Sequence, residues 1–119
     1  MLLVVKHEVF DEVVVVRVEG DIDLASAEEF AEQLAVATTR ASLQSSPTLV
    51  VDLQGVDFFG SAGLNVLLGC HDKATADGIS VRLVAAQPEV VRPIQVTKLD
   101  RILALYPSMD EALTPRNPA

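Results

Sequence analysis

Apolar residues along the chain fall into short runs whose period changes several times, and each change marks the edge of an element. Over residues 2–9, Leu3, Val5 and Val9 take alternating positions, the period of a half-covered strand. Asp11-Glu12 gives a polar break of hairpin length, and residues 13–18 resume with Val13, Val14, Val15 and Val16 in a row. So short a connection predicts antiparallel pairing, and the valine row predicts a second strand covered on both faces. Gly20-Asp21-Ile22-Asp23 then closes that strand and opens a loop into a helix. Ser26 and Glu29 have capping-box spacing there, and Asp23 is a competing N-cap. Ala27, Phe30, Leu34, Ala37 and Ala41 recur at helical intervals, so this helix should run to about Ser42 and lay one face on a sheet.

After a Ser/Gln/Pro linker over residues 43–47 comes the most informative stretch, LVVDLQGVDFFGSAGLNVLL at residues 49–68. Leu49, Val50, Val51 and Leu53 read as a short strand buried on both faces. Gly55, Gly60 and Gly63 punctuate a loop, and Leu64, Leu67, Leu68 and His71 follow at i, i+3, i+4 and i+7, which is helical. Ser61 stands at that junction, and two readings of it are open. It is an ordinary N-cap for the free N–H groups of the new helix, or it is a phosphorylation site, because a helix start accommodates a dianion without unfolding. A nucleophilic serine fits poorly: Gly60-Ser61-Ala62-Gly63 is not a G-x-S-x-G turn, and neither His7 nor His71 has a spacing that implies a triad.

Asp77-Gly78 is a helix stop, and residues 79–85 alternate as a strand with Val81, Leu83 and Ala85 on one side. A strand, a helix and a further strand within about 35 residues form a βαβ unit, so these two strands should be parallel. Gln87-Pro88 opens a third helix with proline at its first position, where a missing N–H is harmless. Pro93, five residues on, is expected to bend or break it. Residues 99–105 read as a short final strand or turn, and Pro107-Ser108 introduces a last short helix with Met109, Ala112 and Leu113. One domain over residues 1–113 and a frayed tail over 114–119 are expected.

Charge and composition narrow the possible partners. Seventeen acidic against nine basic residues give a net charge of −8, and the basic residues are scattered, which disfavours nucleic acid as a direct partner. Four Phe, one Tyr and no Trp offer no stacking platform for bases. No apolar run approaches the ~18 residues of a membrane span, and residues 1–5 are too short for the apolar part of a signal peptide, so a cytoplasmic protein is expected. Cys70 is the only cysteine, which precludes an internal disulfide, and its place in an apolar helix predicts a buried, unreactive thiol. Asp21 and Asp23, with no His or Cys nearby in sequence, are turn and cap residues before they are metal ligands, so no metal and no cofactor is expected. Catalysis is disfavoured for the same lack of a paired nucleophile and base.

The order of elements and the residues at 49–68 resemble the STAS domain, the sulfate-transporter and anti-sigma-factor-antagonist family. Val51-Asp52-Leu53, Gly55-Val56 and Phe58-Phe59-Gly60-Ser61-Ala62-Gly63-Leu64 are similar to that family's D-L-S-x-V-x-F-x-D-S-S/T-G-L. Gly20-Asp21-Ile22-Asp23 resembles its G-E-L/I-D element, and Gly78 fits the glycine before its next strand. Gly60 stands where the motif has Asp, Ala62 where it has a second hydroxyl residue, and Pro93 where relatives commonly have an apolar helix residue.

The resemblance implies an α/β fold with a mixed four- to five-stranded sheet, an N-terminal antiparallel hairpin and helices mainly on one face. It further implies an anti-sigma factor antagonist that binds an ATP-binding anti-sigma factor of the serine-kinase type and so frees a sigma factor. That kinase would phosphorylate Ser61, and a metal-dependent serine phosphatase would reverse the modification. The docking surface would comprise Asp21, Asp23, Phe59, Gly60, Ser61, Ala62, Gly63, Leu64 and Asn65. A second reading makes the chain a STAS subunit of a larger assembly, such as a lipid-transport or transporter-associated complex, not controlled through Ser61.

Overall fold

Two long parallel strands, β2 (Val13–Ile22) and β3 (Thr48–Phe59), form the spine of the computed structural model, which describes residues 3–114. β1 (Val4–Phe10) lies antiparallel beside β2, and β4 (Ser80–Val84) and β5 (Ala104–Tyr106) continue the sheet in parallel beyond β3, so the strand order is sequential from β1 to β5. Asp11 and Glu12 both take positive φ, 50° and 68°, the mirror-image turn whose twist suits a two-residue hairpin. Ser45 holds Glu12 there by donating its hydroxyl to Oε1 at 3.0 Å.

The valine row is covered on both sides, as its lack of alternation predicts. Val14, Val16, Val18, Leu49, Val51, Leu53 and Leu83 join the larger core with α1 (Ala27–Ser42), α2 (Ser61–Ala76) and α3 (Pro88–Val96). Val15, Val50 and Val84 point the other way, under Ala112 of α4 (Met109–Leu113). Among the described residues, three helices thus cover one face and a single short one the other. Arg82 fastens α4 by donating from Nη1 to the Ala112 carbonyl at 2.9 Å, and Ser108 caps it by accepting from the Glu111 N–H.

Several expectations need correction. β2 and β3 do not stop at Gly20 and Leu53 but run on to Ile22 and Phe59. The glycine-punctuated loop is in fact bulged strand: the register slips between Arg17 and Glu19 and again between Gly20 and Asp21. Asp52, buried in β3, holds the first slip by accepting from the Gln54 N–H and Nε2, both at 3.0 Å. β4 has ended by then, and Gln87 takes its place, donating from Nε2 to the carbonyls of Leu53 at 2.8 Å and Val56 at 2.9 Å. Bulges erase the two-residue period, which is why this half of the strand reads as loop.

α3 runs through Pro93 to Val96. Val90 and Ile94, on one face either side of the proline, are fully buried, and their packing holds the helix where propensity alone would end it. The capping box at Ser26 does not form. Ser26 has helical φ and ψ, and Asp23, the competing cap, accepts from the N–H groups of Ala25 and Ser26 at 3.0 and 3.1 Å. A 3-10 turn, Leu99–Arg101, precedes β5. Apart from Thr114, the tail expected over residues 114–119 lies outside the described residues.

Candidate functional site

β2 and β3 end side by side, with Asp21 opposite Phe58 and Ile22 opposite Phe59. The Gly60 N–H donates to the Ile22 carbonyl at 2.9 Å, so the two chain exits are tied together at the carboxyl edge of the sheet, where α/β folds commonly present their sites. Gly60 then takes an extended conformation, φ −89° and ψ 177°, and its carbonyl accepts from Gly63 and Leu64 at 3.0 and 3.2 Å. Gly60 is therefore the N-cap, and Ser61 is the first helical residue, one position later than a cap. Having no side chain, Gly60 makes no side-chain cap bond. The Ser61 hydroxyl is exposed and engages no partner among the described residues, and the N–H groups of Ser61 and Ala62 likewise have no acceptor there.

Beneath this lip the residues are packed. Phe59, Gly63 and Leu64 are buried, and a Cβ placed on Gly63 would lie 2.6 Å from Ile22 Cγ2 and 2.8 Å from Phe59 Cε1. Only glycine lets the first turn of α2 sit this close to the sheet. Of the expected docking residues, Ser61 and Asn65 are exposed, Gly60, Ala62, Asp21 and Asp23 are half-buried, and Phe59, Gly63 and Leu64 act as the mount beneath. Asp23 is engaged in its own turn, and the Asp21 carbonyl accepts from the Ser26 hydroxyl at 2.8 Å.

Sequence reasoning missed two apolar residues at the rim. Phe58 is 52% exposed, and a Cβ on Gly60 would lie 3.2 Å from Phe58 Cε2. Leu24, in the loop after β2, is 87% exposed. A signal for the first was present, since neighbouring residues of a strand face opposite ways and Phe58-Phe59 must place one ring outside.

Chemically, the site presents a hydroxyl in a helix-start field, and among the described residues no histidine or carboxylate is hydrogen-bonded to it. His7 Nε2 shares a hydrogen with Gln33 Oε1 at 2.6 Å, and His71 lies ten residues along α2 with Nδ1 3.7 Å from Asp72. Among the described residues, no group of three or more His, Cys, Asp or Glu is placed to hold a metal ion. Away from the site, a cleft of about 340 Å³ opens between α1 and α2, with Leu34, Thr38, Gly69 and Cys70 in its lining. Burial pushes the Cys70 thiol above its ordinary range, opposed in part by the Thr38 hydroxyl 3.8 Å away.

A five-stranded mixed sheet of this order, with an antiparallel first hairpin and helices mainly on one face, is the architecture of a known class of domain. Residues 5–112 match the STAS domain, and the chain belongs to that family. Within it, its relatives are anti-sigma factor antagonists. The anti-sigma-F factor antagonists RsfA and RsfB of Mycobacterium tuberculosis are 31% and 32% identical to it, over 87% and 86% of this chain and 80% of each of theirs. It is also 35% identical to Rv2638 of the same organism, an anti-anti-sigma factor candidate, and spans 62% of that protein's length. An anti-sigma factor antagonist from Mycobacterium paratuberculosis superposes with a TM-score of 0.85 at 35% identity, covering 95% of this chain and 92% of that one. Unphosphorylated SpoIIAA shares the fold at a TM-score of 0.72 and 21% identity, over 92% of this chain and 91% of its own. No helix of the described residues is long and apolar enough to cross a membrane.

Proposed function

We propose that this protein binds an ATP-dependent anti-sigma factor of the serine-kinase type through the lip formed by Ser61, Asn65 and the exits of β2 and β3, and that phosphorylation of Ser61 releases it. The observation that carries this reading is the exposed, unengaged Ser61 hydroxyl at the first position of α2, on a mount of buried residues. A phosphate there meets the free N–H groups of the helix start, so the domain tolerates it, while about −1.5 to −2 units of charge are added to the lip. A docking partner would have to strip water from that dianion, and about 2.7 kcal/mol of such penalty weakens binding a hundredfold. Ala62 leaves Ser61 as the acceptor of the loop, and a metal-dependent serine phosphatase would restore the binding form. The partners would meet in the cytoplasm, where sigma factors act.

Calorimetric titration against purified anti-sigma kinases tests the reading, together with intact-mass measurement after incubation with kinase and ATP. Ser61→Ala should keep the affinity and gain no phosphate, and Ser61→Glu should lose about a hundredfold. Undiminished binding by Ser61→Glu, or a phosphate that still appears on Ser61→Ala, refutes it.

A further inference from the structure

The sheet has two outer edges, and they differ. β5 offers three residues, whereas β1 offers seven in unbroken register with β2, from Val4 to Phe10. A two-residue turn closes on a hydrogen-bonded pair, here Phe10 and Val13, so by alternation Phe10, Glu8, Lys6 and Val4 turn their backbone groups to β2. Val5, His7 and Val9 turn theirs outward. β1 has no proline and no bulge, α1 meets it at His7 through Gln33, and Val4, Val9 and Phe10 are 43%, 54% and 59% exposed, so Lys6 and Glu8 are what guards this edge among the described residues. Its charged residues are one Lys and one Glu, placed symmetrically about His7.

We propose that β1 pairs with β1 of a second copy, antiparallel about a two-fold axis at His7, so that one ten-stranded sheet runs through both. In this register His7 faces His7, and Val5 and Val9 face each other twice. Those are the outward-turned residues, so each pair exchanges two backbone hydrogen bonds. Between them Lys6 stands opposite Glu8 of the second copy, and Val4 opposite Phe10, which covers the exposed apolar side chains. Lys6 is free to take such a partner: opposite it on β2 is Arg17, a like charge, and it makes no ion pair among the described residues, whereas Glu8 meets Arg17 at 3.0 Å. Charge also fixes the register. Sliding one strand by two residues in either direction sets Lys6 against Lys6 or Glu8 against Glu8, each unfavourable. β2 separates this edge from the end of β3, so the inference stands apart from the Ser61 reading.

Sedimentation velocity from micromolar to millimolar protein tests the pairing. Wild type should pass from monomer to dimer, and Lys6→Glu or Glu8→Lys alone should weaken association by about tenfold or more, because each change acts twice in a symmetric dimer. An equimolar mixture of the two variants should form a heterodimer, since each supplies the charge the other lacks, and the double variant Lys6→Glu/Glu8→Lys should dimerise again. Amide exchange at Val5, His7 and Val9 should slow as the dimer forms. Far-UV circular dichroism verifies folding, which these exposed substitutions should leave intact. A monomer at millimolar concentration, a Lys6→Glu dimer as tight as wild type, or a mixture no tighter than its components overturns the proposal.

Discussion

Replacing Gly63 by alanine should destabilise the protein, while the same replacement at Gly69 in the same helix should stabilise it. A methyl on Gly63 would sit 2.6 Å from Ile22 Cγ2 and 2.8 Å from Phe59 Cε1, roughly 1 Å inside normal carbon contact. Ile22 and Phe59 are themselves buried, so neither can swing away. Overpacking of this kind costs about 1–3 kcal/mol, and the gain in helix propensity offsets at most ~1 kcal/mol of it. The net loss is about 1–2 kcal/mol, which for 119 residues lowers Tm by roughly 4–8 °C. At Gly69 a Cβ meets nothing within 4 Å, so only the propensity gain of about 0.5–1 kcal/mol remains and Tm should rise by roughly 2–4 °C. Thermal unfolding followed by far-UV circular dichroism decides the matter, since the chain has no tryptophan to report by fluorescence. A Gly63→Ala protein as stable as wild type, or two variants shifting the same way, would refute the claim that glycine is there to seat α2.

Gln87→Ala should cost about 1–3 kcal/mol, because the carbonyls of Leu53 and Val56 lose their donor; urea unfolding should show a lower midpoint at unchanged m-value. Gly60→Asp should be neutral to stabilising by a few tenths of a kcal/mol in the same measurement, since φ −89° suits any residue, the Phe58 ring can yield, and an Asp cap favours the helix start. Cys70 should alkylate more slowly with iodoacetamide in the folded protein than in urea at neutral pH. Its folded pKa is raised above the unfolded value near 8.5, so its contribution to stability is whole below that pH and is lost as pH rises through the folded value; Cys70→Ala should flatten the decline.

Much of the fold was legible because the determining signals are local. Asp11-Glu12 is too short for anything but a hairpin, the valine row has no face to leave uncovered, and Gly78, at φ +77°, ends α2 where the Asp77-Gly78 pair marks it. What escaped depends on distant partners. β3 continues past Gly55 because Asp52 and Gln87 satisfy its irregular backbone, and Gln87 is more than thirty residues from the carbonyls it serves. Pro93 is tolerated because Val90 and Ile94 are buried against other elements. At the site, Ser61 stands one position after the cap its sequence suggests, and of the two rings it is Phe58, not the expected docking residue Phe59, that is exposed. The bulge between Gly20 and Asp21 shifts which residues face the core, and a period-2 count does not see it.

The bond from Gly60 to Ile22, with Gly63 wedged against Ile22 and Phe59, leaves no slack between the start of α2 and the strands below. Any group attached to Ser61 would therefore ride on a fixed pedestal. A visiting protein would meet an altered potential on an unaltered contour, and the amide resonances of β2 and β3 beneath the pedestal should hold their positions while those of the lip move.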